Sequence, residues 1–270
     1  MIFQNILPAT VLPLLEKLSM EADKVISTKE GSFIFLILIS VIPSLIWLFH
    51  YLGKDINPEP KRILLSIFIL GALVTFPTAI IEIFLSGVLD KIPIIDSIPW
   101  LRIFIYSAVV IGLVEELAKF FFVAAISQFK CFDEPIDAMI YMVTSAMGFA
   151  ALENLFYLMG NNFSPQTNIT IAVFRFLGAN FLHALCSAIL GYFFAKSIIN
   201  RKKIILISGI IISALLHGIF NYYIMEKNPY FFLYIIAILL ILAVSVSKCF
   251  RHLKKNNKEF TSKFLANKHL

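Results

Sequence analysis

Seven stretches of the sequence are each long and apolar enough to cross a lipid bilayer as a helix. A hydrocarbon core of roughly 30 Å needs about 20 residues at about 1.5 Å per residue. Because only helices and closed barrels satisfy their backbone polar groups in lipid, the sequence predicts an all-α, polytopic membrane protein with about seven transmembrane helices. The composition agrees, since 59% of the residues are hydrophobic and 15% are charged. The predicted spans are approximately 32–52, 62–88, 101–128, 136–159, 169–199, 204–225 and 229–249.

The distribution of lysine and arginine predicts how the chain crosses the membrane. These residues are concentrated in the odd-numbered connections and after residue 248, whereas the even-numbered connections carry fewer. The positive-inside rule then favours an N-terminus outside and a cytoplasmic C-terminus. The same topogenic role accounts for the net charge of +6, so we expect the lipid bilayer and no nucleic acid as a partner.

The domain organisation predicted from this pattern is simple. Residues 1–30 form an N-terminal interfacial segment, in which 11–24 reads either as a weakly amphipathic helix or as a plain surface tail. Residues 31–250 form a single transmembrane bundle, and 251–270 form a basic cytoplasmic tail. Since the connections between spans are short, we expect the function to reside in the bundle.

Several ionisable residues lie inside the predicted spans. Each costs about 2.5–3.5 kcal/mol at the bilayer centre, so each is a hypothesis for a functional site. Counted along the helices, those in the third and fifth spans fall about 20 Å from the outer surface of the membrane core, and those in the fourth and sixth spans about 20–25 Å from the inner surface, near one common layer. They are Glu115, Glu116 and Lys119 in the third span, Glu153 in the fourth, His183 in the fifth and His217 in the sixth, where the polar but uncharged Asn221 follows one turn later.

Helical spacing predicts how the charges in the third span pair. Lys119 follows Glu115 by four residues and Glu116 by three, so it can neutralise either carboxylate as a charge partner. Adjacent residues point about 100° apart, and we therefore expect one glutamate to face a cavity while the other pairs with Lys119. A purely structural ion pair, and histidines that only pack, are the alternative interpretations.

Carboxylates and histidines without a serine or cysteine nucleophile point to activated water. A glutamate would act as general base, a histidine would share the water, and a second histidine with an asparagine amide would stabilise the oxyanion. The same side chains also suit a divalent metal such as zinc, and no HExxH motif decides between a metal-dependent and a metal-free site. The candidate ligands are Glu115, Glu153, His183 and His217.

Six segments in fixed order resemble the PrsW family of intramembrane proteases, within the wider clan of Abi/CAAX-type membrane endopeptidases. They are "WLFHYLGKDINPEPKRILLSIFILG", "VEELAKFFF", "FDEPIDAMIY", "GFAALENLFY", "FLHALCSAILGY" and "LLHGIFNY". The resemblance implies a multi-pass protease of the bacterial cytoplasmic membrane that cuts a membrane-anchored protein, such as an anti-sigma factor, on its extracytoplasmic side. Two positions depart from the family, since Asn221 stands where many members have aspartate, and Asn154 follows Glu153 where the second acidic motif has a second glutamate.

The resemblance places the EExxK motif on Glu115, Glu116 and Lys119, the second acidic motif on Glu153 and Asn154, and the histidine motifs on His183 and His217. The predicted roles are Glu115 or Glu116 as general base and His183 as its partner in activating water. Glu153 completes the polar layer, and His217 with Asn221 donates to the oxyanion or ligates a metal. The alternatives are a proton- or ion-coupled transporter, which the lack of an inverted repeat disfavours, and a non-catalytic relative of the protease.

Overall fold

The computed structural model of the protein describes residues 28–55, 57–129, 131–160, 165–226 and 230–267, and these residues contain helices and no strands. The helices are α1 (Lys29–Leu52), α2 (Lys61–Leu73), α3 (Thr75–Leu89), α4 (Pro93–Asp96), α5 (Pro99–Ile105), α6 (Val114–Ile126), α7 (Pro135–Met159), α8 (Pro165–Arg175), α9 (Phe181–Asn200), α10 (Lys203–Glu226), α11 (Phe231–Lys255) and α12 (Asn257–Asn267). Two π-helical segments join neighbouring helices without a break: π1 (Tyr106–Leu113) between α5 and α6, and π2 (Phe176–Asn180) between α8 and α9.

The predicted all-α polytopic fold is confirmed. By length and composition, six stretches of helix in the described ranges can cross a membrane: Gly31–Leu52, Lys61–Leu89, Pro135–Met159, Thr167–Asn200, Lys203–Glu226 and Phe232–Lys255. The remaining predicted span, 101–128, is helical from Pro99 to Ile126 and carries the three ionisable residues of the EExxK motif. The helix predicted at 11–24 lies outside the described residues.

Helix α7 is the centre of the bundle. Its start is well defined, because Glu134 is the N-cap, Pro135 occupies the first turn, and Asp137 accepts the N-cap amide in a capping box. From Pro135 to Ala151 every residue is buried, and α1, α2, α6 and α9 pack around the helix. The residues that α7 presents to the polar layer are therefore enclosed by protein on several sides.

Glycines allow two pairs of helices to approach closely. A Cβ atom on Gly148 of α7 would lie 1.9 Å from the carbonyl oxygen of Phe68 on α2, and one on Gly71 would lie 2.2 Å from that of Ser145. A second contact joins π1 to α10, where a Cβ on Gly112 would lie 2.5 Å from the carbonyl oxygen of Ala214. Small residues permit such contacts between membrane helices, and the second contact brings the start of α6 beside His217.

The C-terminal residues predicted as a basic tail include the end of α11 and the helix α12. Helix α12 packs against α9, where the Asn267 amide donates to the carbonyl oxygens of Ile198 and Ile199, each at 3.1 Å. Phe264 of α12 is fully buried and its ring lies 5.2 Å from that of Phe132. Helix α12 is thus attached to the C-terminal end of α9.

Candidate active site

Lys119 lies at the centre of a polar cluster inside the bundle. Its side chain is fully buried, and Nζ donates to Glu115 Oε2 and Glu116 Oε1, both at 2.9 Å. Nζ also lies 2.8 Å from Nδ1 of His183 on α9. These three contacts use all three ammonium protons. The expectation that Lys119 would pair with only one glutamate is wrong, because the ammonium binds both.

Glu116 is fully buried and both of its oxygens are engaged. Oε1 accepts from Lys119 and lies 3.1 Å from Nδ1 of His217 on α10. Oε2 accepts from the Ser187 hydroxyl at 2.9 Å and lies 3.2 Å from the Ser213 hydroxyl. The two serines come from α9 and α10, so this carboxylate connects three helices.

The contacts of His183 assign its tautomer. Its Nδ1 accepts from the Lys119 ammonium, so the ring proton is on Nε2, which lies 2.9 Å from Oε2 of Glu153 on α7. Both ring nitrogens of His183 are therefore occupied.

His217 differs from His183 in that one of its ring nitrogens is not occupied. Its Nδ1 faces the Glu116 carboxylate, which only accepts, so Nδ1 carries the proton and the neutral ring keeps a lone pair on Nε2. That Nε2 lies 3.8 Å from Glu115 Oε2, too far for a direct hydrogen bond. The two imidazole rings meet edge to face at 5.0 Å.

Glu153 connects the cluster to the far end of α7. Its Oε2 also lies 2.8 Å from a guanidinium nitrogen of Arg175, whose Nε donates to Asn154. Asn154 in turn donates to the backbone carbonyl of Ser40 at 3.0 Å. The Glu153 side chain is 30% exposed, in contrast to the fully buried Lys119, so the cluster reaches the bundle surface at this end.

Glu82 of α3 is a residue near this cluster that the sequence reasoning missed. Its side chain is half-buried, and Oε1 is buried without a hydrogen-bond partner among the described residues. Its charge interacts with those of Glu115, Glu153 and Lys119. A lone acid inside the apolar stretch 62–88 is the signal that could have identified it, because the same insertion cost applies there.

Asn221 lies one turn after His217 on α10, as predicted, and is half-buried. Within the described residues its side chain forms no hydrogen bond to the cluster. The structure therefore brings together Glu115, Glu116, Lys119, Glu153, His183 and His217, and leaves Asn221 beside them with its amide unengaged.

The donor set of the cluster fits a transition-metal ion. Glu115, His183 and His217 each offer one ligand atom, and these atoms all lie within 4.8 Å of one another. Glu115 Oε2 is 3.7 Å from His183 Nδ1 and 3.8 Å from His217 Nε2, somewhat wider than the spacing of about 3.3 Å between ligands of tetrahedral zinc. One carboxylate and two imidazoles are a common zinc-binding set. Glu153, also a predicted ligand, lies outside this group.

Fold and site together define a polytopic membrane protein with an ionisable site inside its helical bundle, the class that contains both intramembrane proteases and ion-coupled transporters. The family model described as "PrsW family intramembrane metalloprotease" matches residues 59–246, which include every residue of the cluster. The chain therefore belongs to the PrsW family and is a multi-pass membrane peptidase of bacteria. This assignment disfavours the transporter alternative.

Curated relatives agree with this assignment, and each is named Protease PrsW. The protein from Clostridioides difficile (strain 630) is 29% identical over 234 residues, which cover 83% of this chain and 94% of the relative. The protein from Oceanobacillus iheyensis is 34% identical over 185 residues, covering 67% and 79%. The protein from Geobacillus kaustophilus (strain HTA426) is 30% identical over 182 residues, covering 67% and 75%. No solved structure matches the chain.

Proposed function

We propose that this peptidase hydrolyses a peptide bond of a membrane-anchored protein with a water molecule held between Glu115 and His217. The observation that carries the proposal is an asymmetry within the cluster. Both Glu116 oxygens and both His183 nitrogens are engaged, whereas Glu115 Oε1 receives no hydrogen bond from the described residues and His217 keeps a lone pair on Nε2. Glu115 is therefore the better candidate for the general base.

The spacing of these two groups supports a bridging water. Glu115 Oε2, which accepts from Lys119 and has a second lone pair, lies 3.8 Å from His217 Nε2, so one water about 2.8 Å from each acceptor can donate a proton to both. Glu115 takes a proton as the water oxygen attacks the scissile carbonyl carbon. Glu115 then returns this proton to the nitrogen of the departing amine as the C–N bond breaks, which leaves a carboxylic acid and an amine as products.

The remaining residues position these groups or stabilise charge. Lys119 holds both glutamates and orients His183, and Glu153 holds the opposite nitrogen of that ring. The Asn221 amide lies one turn from His217 with no partner in the cluster, so it is available to donate to the oxyanion that develops on the carbonyl oxygen.

The family description names a metalloprotease, and the same site would hold a divalent metal through Glu115, His183 and His217. When bound, such an ion polarises the carbonyl group and makes the attacking water more acidic. His183 Nδ1 would then exchange its contact with Lys119 for the metal, and Lys119 would keep its ion pairs to the two glutamates.

The location of the site supports a substrate that approaches from outside the cell. The cluster reaches the bundle surface near Glu153 and Arg175, toward the end of α7 that the predicted orientation places outside the cell. A membrane-anchored protein cut on its extracytoplasmic side, such as an anti-sigma factor, would approach from this end.

The proposal is tested by co-expressing the protein with a tagged single-pass anti-sigma factor encoded in the same genome and following cleavage by immunoblot. Glu115→Gln and His217→Ala should each abolish cleavage while the variant remains at normal abundance in the membrane. The matched control is Glu259→Gln, which removes an exposed carboxylate of α12 and should leave cleavage unchanged. Cleavage at the normal rate by a Glu115→Gln protein would overturn the assignment of the base.

A further inference from the structure

A second group of acidic residues lies far from the active site, where two connections meet at the start of α7. The connection between α1 and α2 contributes Asp55 and Glu59, and the segment before α7 contributes Asp133 and Glu134. Asp137, in the first turn of α7, lies between them. Asp137 precedes Glu153 by 16 residues, about 24 Å along the helix, so this acidic group is separate from the catalytic cluster.

Asp137 is the buried centre of this group. Its side chain is 1% exposed, and Oδ2 accepts from the backbone amides of Asp133 at 2.9 Å and Glu134 at 2.6 Å. Its other oxygen, Oδ1, is buried and receives no hydrogen bond from the described residues. An oxygen of an acid that is removed from water in this way carries a large desolvation penalty unless a proton or a cation compensates it.

Glu59 faces Asp137 from the other connection. It is 9% exposed, its Oε2 accepts from the Tyr141 hydroxyl, and one of its oxygens lies within 4.8 Å of an oxygen of Asp137. Burial raises the pKa of Glu59, and the charges of Asp55 and Asp133 act in the same direction. Among the described residues, no lysine or arginine forms an ion pair with Glu59, Asp133 or Asp137.

The geometry points to a binding site for a hard divalent cation, formed by Glu59, Asp133 and Asp137, and we take Ca²⁺ as the ion because it accepts several carboxylate oxygens in flexible geometry. Each residue offers one carboxylate oxygen, and these oxygens all lie within 4.8 Å of one another. Ca²⁺ binds oxygen ligands at about 2.3–2.6 Å, so two ligands on opposite sides of one ion lie about 4.6–5.2 Å apart. Asp133 is exposed, which gives the ion a path from water and leaves room for water ligands.

The bound ion would join the first connection of the bundle to the beginning of its central helix. Without it, three carboxylates in two separate segments repel one another. With it, the N-terminal end of α7 is held against the α1–α2 connection. Ca²⁺ should therefore stabilise the folded protein without taking part in peptide hydrolysis.

The test uses the purified full-length protein in detergent after treatment with EGTA. Its thermal unfolding midpoint is measured during titration with Ca²⁺ and, in parallel, with Mg²⁺, and the stoichiometry is measured by isothermal titration calorimetry. We expect a saturable rise of about 5 °C with Ca²⁺ at one ion per chain, and a smaller rise with Mg²⁺. Glu59→Gln and the exposed variant Asp133→Asn should each raise the Ca²⁺ dissociation constant at least tenfold.

Two controls separate this site from others. Glu115→Gln should keep the full Ca²⁺ response, because its carboxylate belongs to the catalytic cluster, and Glu259→Gln should keep it as a matched exposed acid. An unchanged midpoint with Ca²⁺ would overturn the proposal, as would an equal response in the Glu59→Gln protein. A midpoint that depends on pH but not on Ca²⁺ would assign a shared proton to Glu59 and Asp137 and would also overturn it.

Discussion

Replacing Lys119 by methionine tests whether the buried ammonium holds the cluster together. The change keeps an unbranched side chain of similar length and removes the charge at the centre. Glu115 and Glu116, which are 6% and 0% exposed, would then both be buried without the ammonium that neutralises them, and His183 Nδ1 would lose its donor. Breaking a buried ion pair by removing one partner destabilises a protein by about 3–5 kcal/mol, and we expect a loss of this size.

The chain contains a matched control for this experiment. Lys263 and Glu259 form a pair with the same four-residue spacing on α12, but their side chains are 53% and 62% exposed. An exposed pair of this kind contributes about 0–1 kcal/mol, so Lys263→Met should have little effect. The difference in the loss of folding free energy between the two variants therefore measures the effect of burying the pair, because the spacing along the helix is the same.

The free energy of unfolding is measured in mixed micelles by titration with a denaturing detergent, with helicity followed by circular dichroism. Combining Lys119→Met with Glu116→Gln should be less destabilising than the sum of the single changes, because the second change removes one of the unpaired charges. If Lys119→Met were no more destabilising than Lys263→Met, the argument from buried charge would be refuted.

Three further predictions concern packing and catalysis. Gly148→Leu should destabilise the protein by more than about 3 kcal/mol, because the new side chain meets the Phe68 carbonyl. Gly87→Leu should be tolerated, because no atom lies within 4 Å of the Cβ position at Gly87. Equal expression levels and equal thermal unfolding midpoints of the two variants would contradict the packing argument. Asn221→Ala should lower kcat by about 10²–10³ with purified substrate, and a change below tenfold would exclude an oxyanion role. Dialysis against a strong chelator tests for a metal: if an ion is bound through Glu115, His183 and His217, cleavage is lost and added zinc restores it, whereas full cleavage by metal-free protein would exclude a metal.

Much of the bundle could be predicted from the sequence because length and apolar composition identify six of the seven predicted spans as helices that can cross a membrane. The convergence of Glu115, Glu153, His183 and His217 in one layer could be predicted for a similar reason, since depth is simply a count of residues along each helix. The cluster in the structure contains all four.

The partners within the cluster could not be predicted because they depend on how each helix is rotated about its axis. Both glutamates bind Lys119, and Arg175 pairs with Glu153 across two helices. No count of residues gives these contacts. Glu82 is a different case, since an acid inside an apolar span was visible in the sequence and its proximity to the cluster depends only on how α3 packs against α6.

The two π-helical segments have a consequence for the register of the site. Each ends just before a catalytic element, π1 two residues before Glu115 and π2 three residues before His183. A π-helical turn accommodates about one residue more than an α-helical turn, so each segment contains the equivalent of a single-residue insertion absorbed within a continuous helix. Deleting one residue from either segment would convert the wide turn to a regular α-helical turn and keep the direction of the side chains that follow, whereas deleting one residue from a regular turn nearby would rotate them by about 100°. The helices that carry Glu115 and His183 can therefore each lose one residue a turn or two upstream without a change in the direction of the catalytic side chains.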